Sequence, residues 1–302
     1  MKIVKLIGGL GNQMFQYAFF ISLQNKGLAT KIDISEFEDY SLHQGLELEK
    51  VFDIDLKQYI PTQDELDRIK DKNKYFNVRR FWGNIIFSNP NQFIKKSHFI
   101  QPNFSQYYSN IYTTEDRYLD GYWQNENYLK SNENQIHELF HWSEIGKRNS
   151  KLEEMIERGN SVSIHIRRFD KPHNFSQFLY RLKLSLVWRV ASREYYLKSI
   201  NYITRNLEHP KFYVFTDNIE WVKKNIPLNV DFIIVDWNRG DKSNLDMYLM
   251  SKCKHNIISM SSFSWWGAWL NSNKKKIVIA PKKWALRFSK DHNLIPETWI
   301  RL

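Results

Sequence analysis

From Ser161 onward, short apolar runs and amphipathic segments alternate along the chain, and few folds accept that order. Ser161 to Ile166 reads as a buried strand and Arg193 to Asn206 as a helix; Lys211 to Phe215 is a strand ending at Thr216-Asp217, followed by a helix over Ile219 to Asn225. Phe232 to Val235, Asn256 to Ser259 and Lys276 to Ala280 read as further strands. Helices over Asn244 to Cys253 and Ser262 to Asn271 separate them, and Pro281 stops the last strand. Alternation of this kind predicts a parallel sheet of the doubly wound α/β class.

The first half carries the same signature once, at its start. Lys2 to Ile7 is an apolar run that stops at Gly8-Gly9, and Asn12 to Lys26 then has apolar residues at helical spacing. That is strand, glycine turn, helix. Lys31 to Ile34 reads as a second strand; from about residue 40 to 125 aromatic residues, Asn and Gln blur any period. Helices are expected there over Asp64 to Lys70 and Asn127 to Trp142. A length of 302 residues favours two domains, and the polar stretch Gly146 to Ser150 puts the boundary near 150, giving domains 1–150 and 151–302. Ligands of parallel sheets bind beyond the carboxyl ends of strands. That rule nominates 8–13, 165–170, 216–217 and 261–264 as site lining.

Charge narrows the ligand. The net charge is +11, from 44 Lys and Arg against 33 Asp and Glu, which suits a phosphorylated substrate, an acidic membrane face or nucleic acid. The cations come as short groups such as Lys95-Lys96, Arg167-Arg168 and Lys274-Lys275-Lys276, and no RNA- or DNA-binding signature accompanies them. Cys253 is the sole cysteine, so an intrachain disulfide is excluded. Gly8 to Gln13 breaks the apolar start that a signal peptide would need, and no apolar window is long enough to span a membrane. The chain reads as cytoplasmic, with a surface basic enough for peripheral contact with an acidic membrane face. Eleven Trp residues read first as core, with sugar stacking as the alternative.

Three segments can carry chemistry. Gly8-Gly9-Leu10-Gly11-Asn12-Gln13 opens a helix and aims backbone N–H groups at an anion or polar ligand. It departs from the dinucleotide fingerprint, because Met14 stands where the third glycine belongs. In His165-Ile166-Arg167-Arg168-Phe169-Asp170, two guanidiniums at a strand terminus suit a pyrophosphate, for which Arg has matched paired donors. The alternative is a structural network in which Asp170 neutralises one Arg and His165 is a satisfied core residue. Ser261-Ser262-Phe263-Ser264 follows a strand and opens a helix, which makes either a phosphate cradle or ordinary helix capping. Trp265 and Trp269, four apart on that helix, read as core, and Gly267 as a site of close helix–sheet approach. Asp53-Ile54-Asp55 matches the D-x-D pattern of metal-dependent sugar transferases but lacks the preceding strand, so no metal site is assigned.

Taken together, G-G-L-G-N-Q-M-F-Q-Y-A at 8–18, H-I-R-R-x-D at 165–170, S-S-F-S-W-W-G-A-W-L at 261–270 and I-A-P-K-K-W at 279–284 resemble glycosyltransferase family 11, the α-1,2-fucosyltransferases. The resemblance implies a GT-B fold, two Rossmann-like domains facing across a cleft, with the nucleotide sugar held by the C-terminal one. It implies GDP-L-fucose as donor, inversion at the fucose anomeric carbon, no metal or other cofactor, and a glycan or glycolipid acceptor, usually a terminal galactose. Bacterial surface polysaccharide such as O-antigen is the product class it suggests. By resemblance Arg167 and Arg168 hold the pyrophosphate, and Ser261, Ser262, Phe263 and Ser264 line the phosphates. Asp246 reads guanine N–H groups with Thr216 and Asp217 nearby, and Gly9, Asn12 and Gln13 face the reacting centre. His165 and Asp170 are the local candidates for general base. Two positions depart from the family pattern: Phe169 replaces a common Gly, and Met260 a common Asn. Phe169 is the reason to keep a transferase of another GDP-sugar as the alternative, with nucleic-acid binding behind it.

Overall fold

The computed structural model describes residues 1–38, 44–71, 95–168, 190–226, 231–284 and 294–302. The chain divides into two compact units, Met1–His141 and Trp142–Leu302. Gly146 to Ser150, expected as the boundary, is instead the first turn of helix Gly146–Arg158, whose Leu152 and Ile156 are buried while its charged residues stay at the surface. Polarity at a helix start looks like a linker when read in sequence alone.

Unit one is built on a four-stranded parallel sheet in the order β2-β1-β4-β3, with β1 Lys2–Lys5, β2 Thr30–Asp33, β3 His98–Ile100 and β4 Arg117–Asp120. Helix α1, Leu10–Gln24, follows β1 through the glycine turn. It is apolar nearly all round, with thirteen of its fifteen residues buried, and so belongs to the core rather than the surface. Gly8 has φ +89°, and a Cβ there would sit 2.7 Å from Asn12 Nδ2, so the turn needs glycine twice over. Helices α2, Leu48–Phe52, and α3, Gln63–Ile69, follow; Thr62 and Glu65 close a capping box on α3. Of the helix expected over Asn127 to Trp142, only α4, Glu133–Leu139, is α-helical, with two short 3-10 turns ahead of it.

Unit two carries a six-stranded parallel sheet in the order β10-β9-β8-β5-β6-β7. These strands are β5 Asn160–Ile166, β6 Pro210–Thr216, β7 Phe232–Val235, β8 His255–Ile257, β9 Val278–Ala280 and β10 Ile300–Arg301. Counted from β5, this is the 3-2-1-4-5-6 order of dinucleotide-binding folds. Its helices are α5 Gly146–Arg158, α6 Arg193–Asn206, α7 Ile219–Asn225, α8 Asn244–Lys252 and α9 Ser262–Trp269. β5 is buried on both faces. Val162, Ile164 and Ile166 join Tyr196, Ile200 and Ile203 of α6 in the apolar core. The other face is polar but satisfied: Ser161 Oγ accepts from Lys254 N at 3.0 Å, and Ser163 Oγ from Asn256 Nδ2 at 2.7 Å.

Trp265 and Trp266 are fully buried and Trp269 nearly so, and Trp265 stacks on Trp269 at 6.1 Å between ring centres. These indoles are core, as their spacing suggested. Gly267 serves a helix–helix contact rather than the expected helix–sheet one. A Cβ on it would lie 2.9 Å from Met250 Cβ on α8. No helix among the described residues is long and apolar enough to cross a membrane.

Candidate active site

In a 3-2-1-4-5-6 sheet the crevice opens where the order reverses, between β5 and β8. The chain leaves β5 at Ile166 and runs directly into Arg167 and Arg168; it leaves β8 at Ile257 and reaches the start of α9 at Ser262. His165 and Ser259 bridge this reversal point, Nδ1 to Oγ at 2.8 Å. The guanidiniums and the serine-rich helix start therefore lie at the ends of adjacent strands.

Asp217, at the end of β6, organises the arginines. It accepts the backbone N–H of Arg168 at 2.8 Å through Oδ1, and its Oδ2 lies 3.3 Å from Arg167 Nη1. The carboxylate expected to neutralise an Arg was Asp170; that residue and Phe169 lie outside the described residues, and Asp217 does this work. Asp217 thus positions the arginines. The Arg168 guanidinium sits 4.4 Å above the ring of Trp221 on α7 and donates to the Ala191 carbonyl at 2.9 Å. An indole face and a carbonyl hold the cation in place without neutralising it. Thr216 turns inward: its Oγ1 accepts from Asn218 N at 3.0 Å and its carbonyl from Arg239 Nη1 at 3.3 Å. Thr216 thereby shapes the turn into α7, whose N-cap is Asn218.

The serine segment divides. Ser261 occupies the N-cap of α9 with no side-chain capping bond, so its hydroxyl is not spent on the helix. Ser262 and Phe263 are partly exposed, and Phe263 packs against the His165 ring at 5.8 Å. Ser264 is fully buried and its hydroxyl bonds back toward Ser259 and Ser261, so it fastens the turn instead of lining the phosphates. The N-terminal motif divides likewise. Gly9 and Asn12 are partly exposed, whereas Gln13 is fully buried. Gln13 Nε2 donates to the carbonyls of Gly8 and Gly45, and its Oε1 accepts from Glu47 N and Leu48 N. Every hydrogen-bonding position of that amide is consumed by backbone. Gln13 ties the glycine turn to residues 45–48 and does not face a ligand.

Burial and the nearby Arg167 charge push the His165 imidazole down to about 3. At that value the ring is neutral at neutral pH and a weak base, and its Nδ1 is engaged with Ser259. The depressed value has a stability consequence. Unfolded, the ring titrates near 6.5, so its contribution to stability is whole above 6.5 and lost as pH falls toward about 3. Replacing His165 by Gln is expected to flatten the fall of Tm over that window, measured by thermal unfolding at stepped pH.

Asp246 on α8 shows the opposite shift. Burial pushes its carboxyl up to about 7, against the lowering effects of a hydrogen bond from Asn238 and the charge of Arg239. Sequence reading missed Ser259, Trp221, Asn238 and Arg239. Each is a polar or aromatic residue in an ordinary context, and only the sheet order brings it to the site. Asp53 and Asp55 make local contacts in unit one. Asp53 caps α2 with φ 53°, and Asp55 Oδ1 accepts from Lys57 N at 3.0 Å.

Comparison with known proteins gives whole-chain relatives. The sequence pattern of glycosyl transferase family 11 matches residues 1–302. An alpha-1,2-colitosyltransferase of Escherichia coli is 31% identical over 312 residues, covering 99% of this chain and 98% of that protein. The O-antigen biosynthesis glycosyltransferase WbnK of Escherichia coli is 31% identical over 317 residues, covering 98% of this chain and 99% of that protein. The mouse (Mus musculus) galactoside alpha-(1,2)-fucosyltransferase 2 is 27% identical over 112 residues, 36% of this chain and 30% of that protein. Among solved structures, fucosyltransferase NodZ from Bradyrhizobium aligns over 88% of this chain and 91% of its own, with 14% identity and a TM-score of 0.49.

Proposed function

The chain belongs to glycosyl transferase family 11, and we propose that it transfers L-fucose from GDP-L-fucose to O2 of a terminal galactose, with inversion and without a metal ion. The observation that carries the reading is the pair Arg167 and Arg168 at the sheet's reversal point, held by Asp217 and following the strand adjacent to the one that leads into α9. Glycosyl transfer builds positive charge on the sugar and negative charge on the departing diphosphate. Cations fixed in advance stabilise that charge without reorganising. Arg168, held by an indole face and a carbonyl, meets the leaving group; Arg167 shares its charge with Asp217 and assists. Ser261, Ser262 and the N–H groups of the α9 start add neutral donors for phosphate oxygens. Asp246 accepts from the guanine edge. Gly9 and Asn12 belong to the acceptor side, and Asp170 is the remaining local candidate for the base.

The relative named for O-antigen biosynthesis supports a role in O-antigen assembly, which we place at the inner membrane's cytoplasmic face, where the net basic charge suits acidic headgroups. One of them is a colitosyltransferase, which favours a second reading in which the donor is the colitose counterpart. A donor panel in EDTA separates the readings. GDP release and acceptor labelling are expected with GDP-fucose and not with GDP-mannose or UDP-galactose. Turnover with the colitose donor alone would select the second reading, and loss of activity in EDTA would overturn the metal-free claim.

A further inference from the structure

Behind Asp246 lies a buried amide pair that nothing in the transfer chemistry above has used. Asn149 on α5 and Asn238 in the segment after β7 are only 4% and 5% exposed. They bond reciprocally: Asn149 Nδ2 donates to Asn238 Oδ1 at 3.0 Å, and Asn238 Nδ2 donates to Asn149 Oδ1 at 3.2 Å. Asn238 Nδ2 also donates to Asp246 Oδ1 at 2.8 Å. On the far side Trp237 Nε1 donates to Asn149 Oδ1 at 2.7 Å, while Asn149 Nδ2 donates to the Ile145 carbonyl at 2.8 Å. Arg148 lies 3.8 Å over the Trp237 ring and holds it down.

The two ends of this network fix both amides. An indole N–H can only donate, so the Asn149 oxygen must face Trp237; a carboxylate can only accept, so the Asn238 nitrogen must face Asp246. Both hydrogens of each amide nitrogen are then in use. The carboxylate plane is set through Oδ1, whereas no described residue bonds to Oδ2, and Asp246 keeps a partly exposed edge. Oδ2 is not a buried orphan: it reaches the surface at that edge, where a donor from outside the chain can meet it.

We propose that Asn238, backed by Asn149, sets nucleotide-base selectivity by holding Asp246 as an anion with Oδ2 presented to the purine, so that the base accepted is one offering adjacent N–H donors. This rests on the reading of Asp246 as the base-recognition residue. Asn238 and Asn149 are positioning residues, acting only through Asp246. Arg239 is the charged group that acts on the same carboxyl. On α5, Glu153 is engaged elsewhere, with Tyr248 and Lys252, leaving Asn149 as the helix's contribution. Removing the Asn238 donor deprives a buried anion of its hydrogen bond, so the carboxyl holds its proton to higher pH and loses acceptor capacity at neutral pH.

The test compares binding of GDP with that of IDP, which lacks the guanine 2-amino group, by calorimetry at pH 7 and pH 9. Wild-type protein is expected to prefer GDP. In Asn238→Ala the GDP Kd rises ~10–100-fold at pH 7, the GDP:IDP preference shrinks, and raising the pH to 9 restores part of the loss. Donor KM rises while kcat at saturation stays within ~3-fold of wild type, because chemistry at the phosphate is untouched. Asn149→Ser, the milder variant, moves in the same direction by less, and combining the two adds little to Asn238→Ala. An unchanged GDP:IDP ratio in a natively folded Asn238→Ala or Asn149→Ser protein overturns the proposal, as does a loss shared equally by GDP and ADP. Indifference of GDP binding to Asp246→Asn would sink the base assignment itself, which keeps the two failures apart.

Discussion

Replacing Arg168 by Ala is expected to lower kcat by about 10³-fold while leaving the fold intact, with only a modest fall in melting temperature. The size of the effect comes from where the charge sits. Asp217 fixes the backbone at Arg168, and the guanidinium rests on Trp221 and the Ala191 carbonyl. Neither of these two partners is an anion, so among the described residues the charge stays available to the departing diphosphate. What the fold loses is one cation–π contact and one hydrogen bond to a carbonyl, roughly 1–2 kcal/mol at a partly exposed site. Arg168→Lys keeps the charge but loses the planar fork, and an intermediate loss is expected. Arg167→Ala should cost less than Arg168→Ala, because Arg167 already shares its charge with Asp217. Steady-state kinetics with circular dichroism checks all three. Near-normal turnover in Arg168→Ala would refute the assignment of the phosphate site.

Asp246→Asn is expected to weaken GDP binding by about 10²-fold and, at pH 8, to make the protein more stable. The sign follows from burial. The carboxyl moves from an ordinary 3.8 to about 7 in the fold, so between those values the folded chain holds a proton that the unfolded chain has released. The charge penalty is absent below 3.8, grows with pH and is complete above about 7. It amounts to at most about 4 kcal/mol, and the neutral amide removes it. The same shift makes GDP binding by the wild-type protein strengthen as pH rises through about 7. Calorimetry across pH 6–8.5 and thermal unfolding of the variant read both effects. A fall in Tm at pH 8 would show that Asp246 contributes to stability instead of costing it.

The sequence was most legible where one strand or helix carries a single strong period. Arg193–Asn206, Ile219–Asn225 and Phe232–Val235 stand where their apolar spacing places them. The parallel sheet of unit two was readable from alternation alone. β3 and β4 were not, because three- and four-residue strands in a stretch rich in aromatics and amides leave too few residues for a period. Helix α5 hid behind its polar first turn. In the site, residue type and motif located Arg167, Arg168 and the start of α9 but could not say which side chains face outward. Gln13 and Ser264 belong to motifs yet are wholly absorbed by backbone, and that partition depends on the loop geometry of residues 45–48 and 259–261. Asp217 reaches the arginines because β5 and β6 pair in register at Ile166 and Thr216, a contact that motif reading does not show.

The most direct measurement is the product itself. The protein is incubated in EDTA with GDP-L-fucose and a galactose-terminated disaccharide, and the trisaccharide is analysed by NMR. The expected result is a single α-linked fucose on O2 of the galactose, formed with inversion of the β-linked donor. A product retaining the β configuration, attachment at another hydroxyl, or no product from GDP-fucose alongside turnover of a different nucleotide sugar would contradict the account.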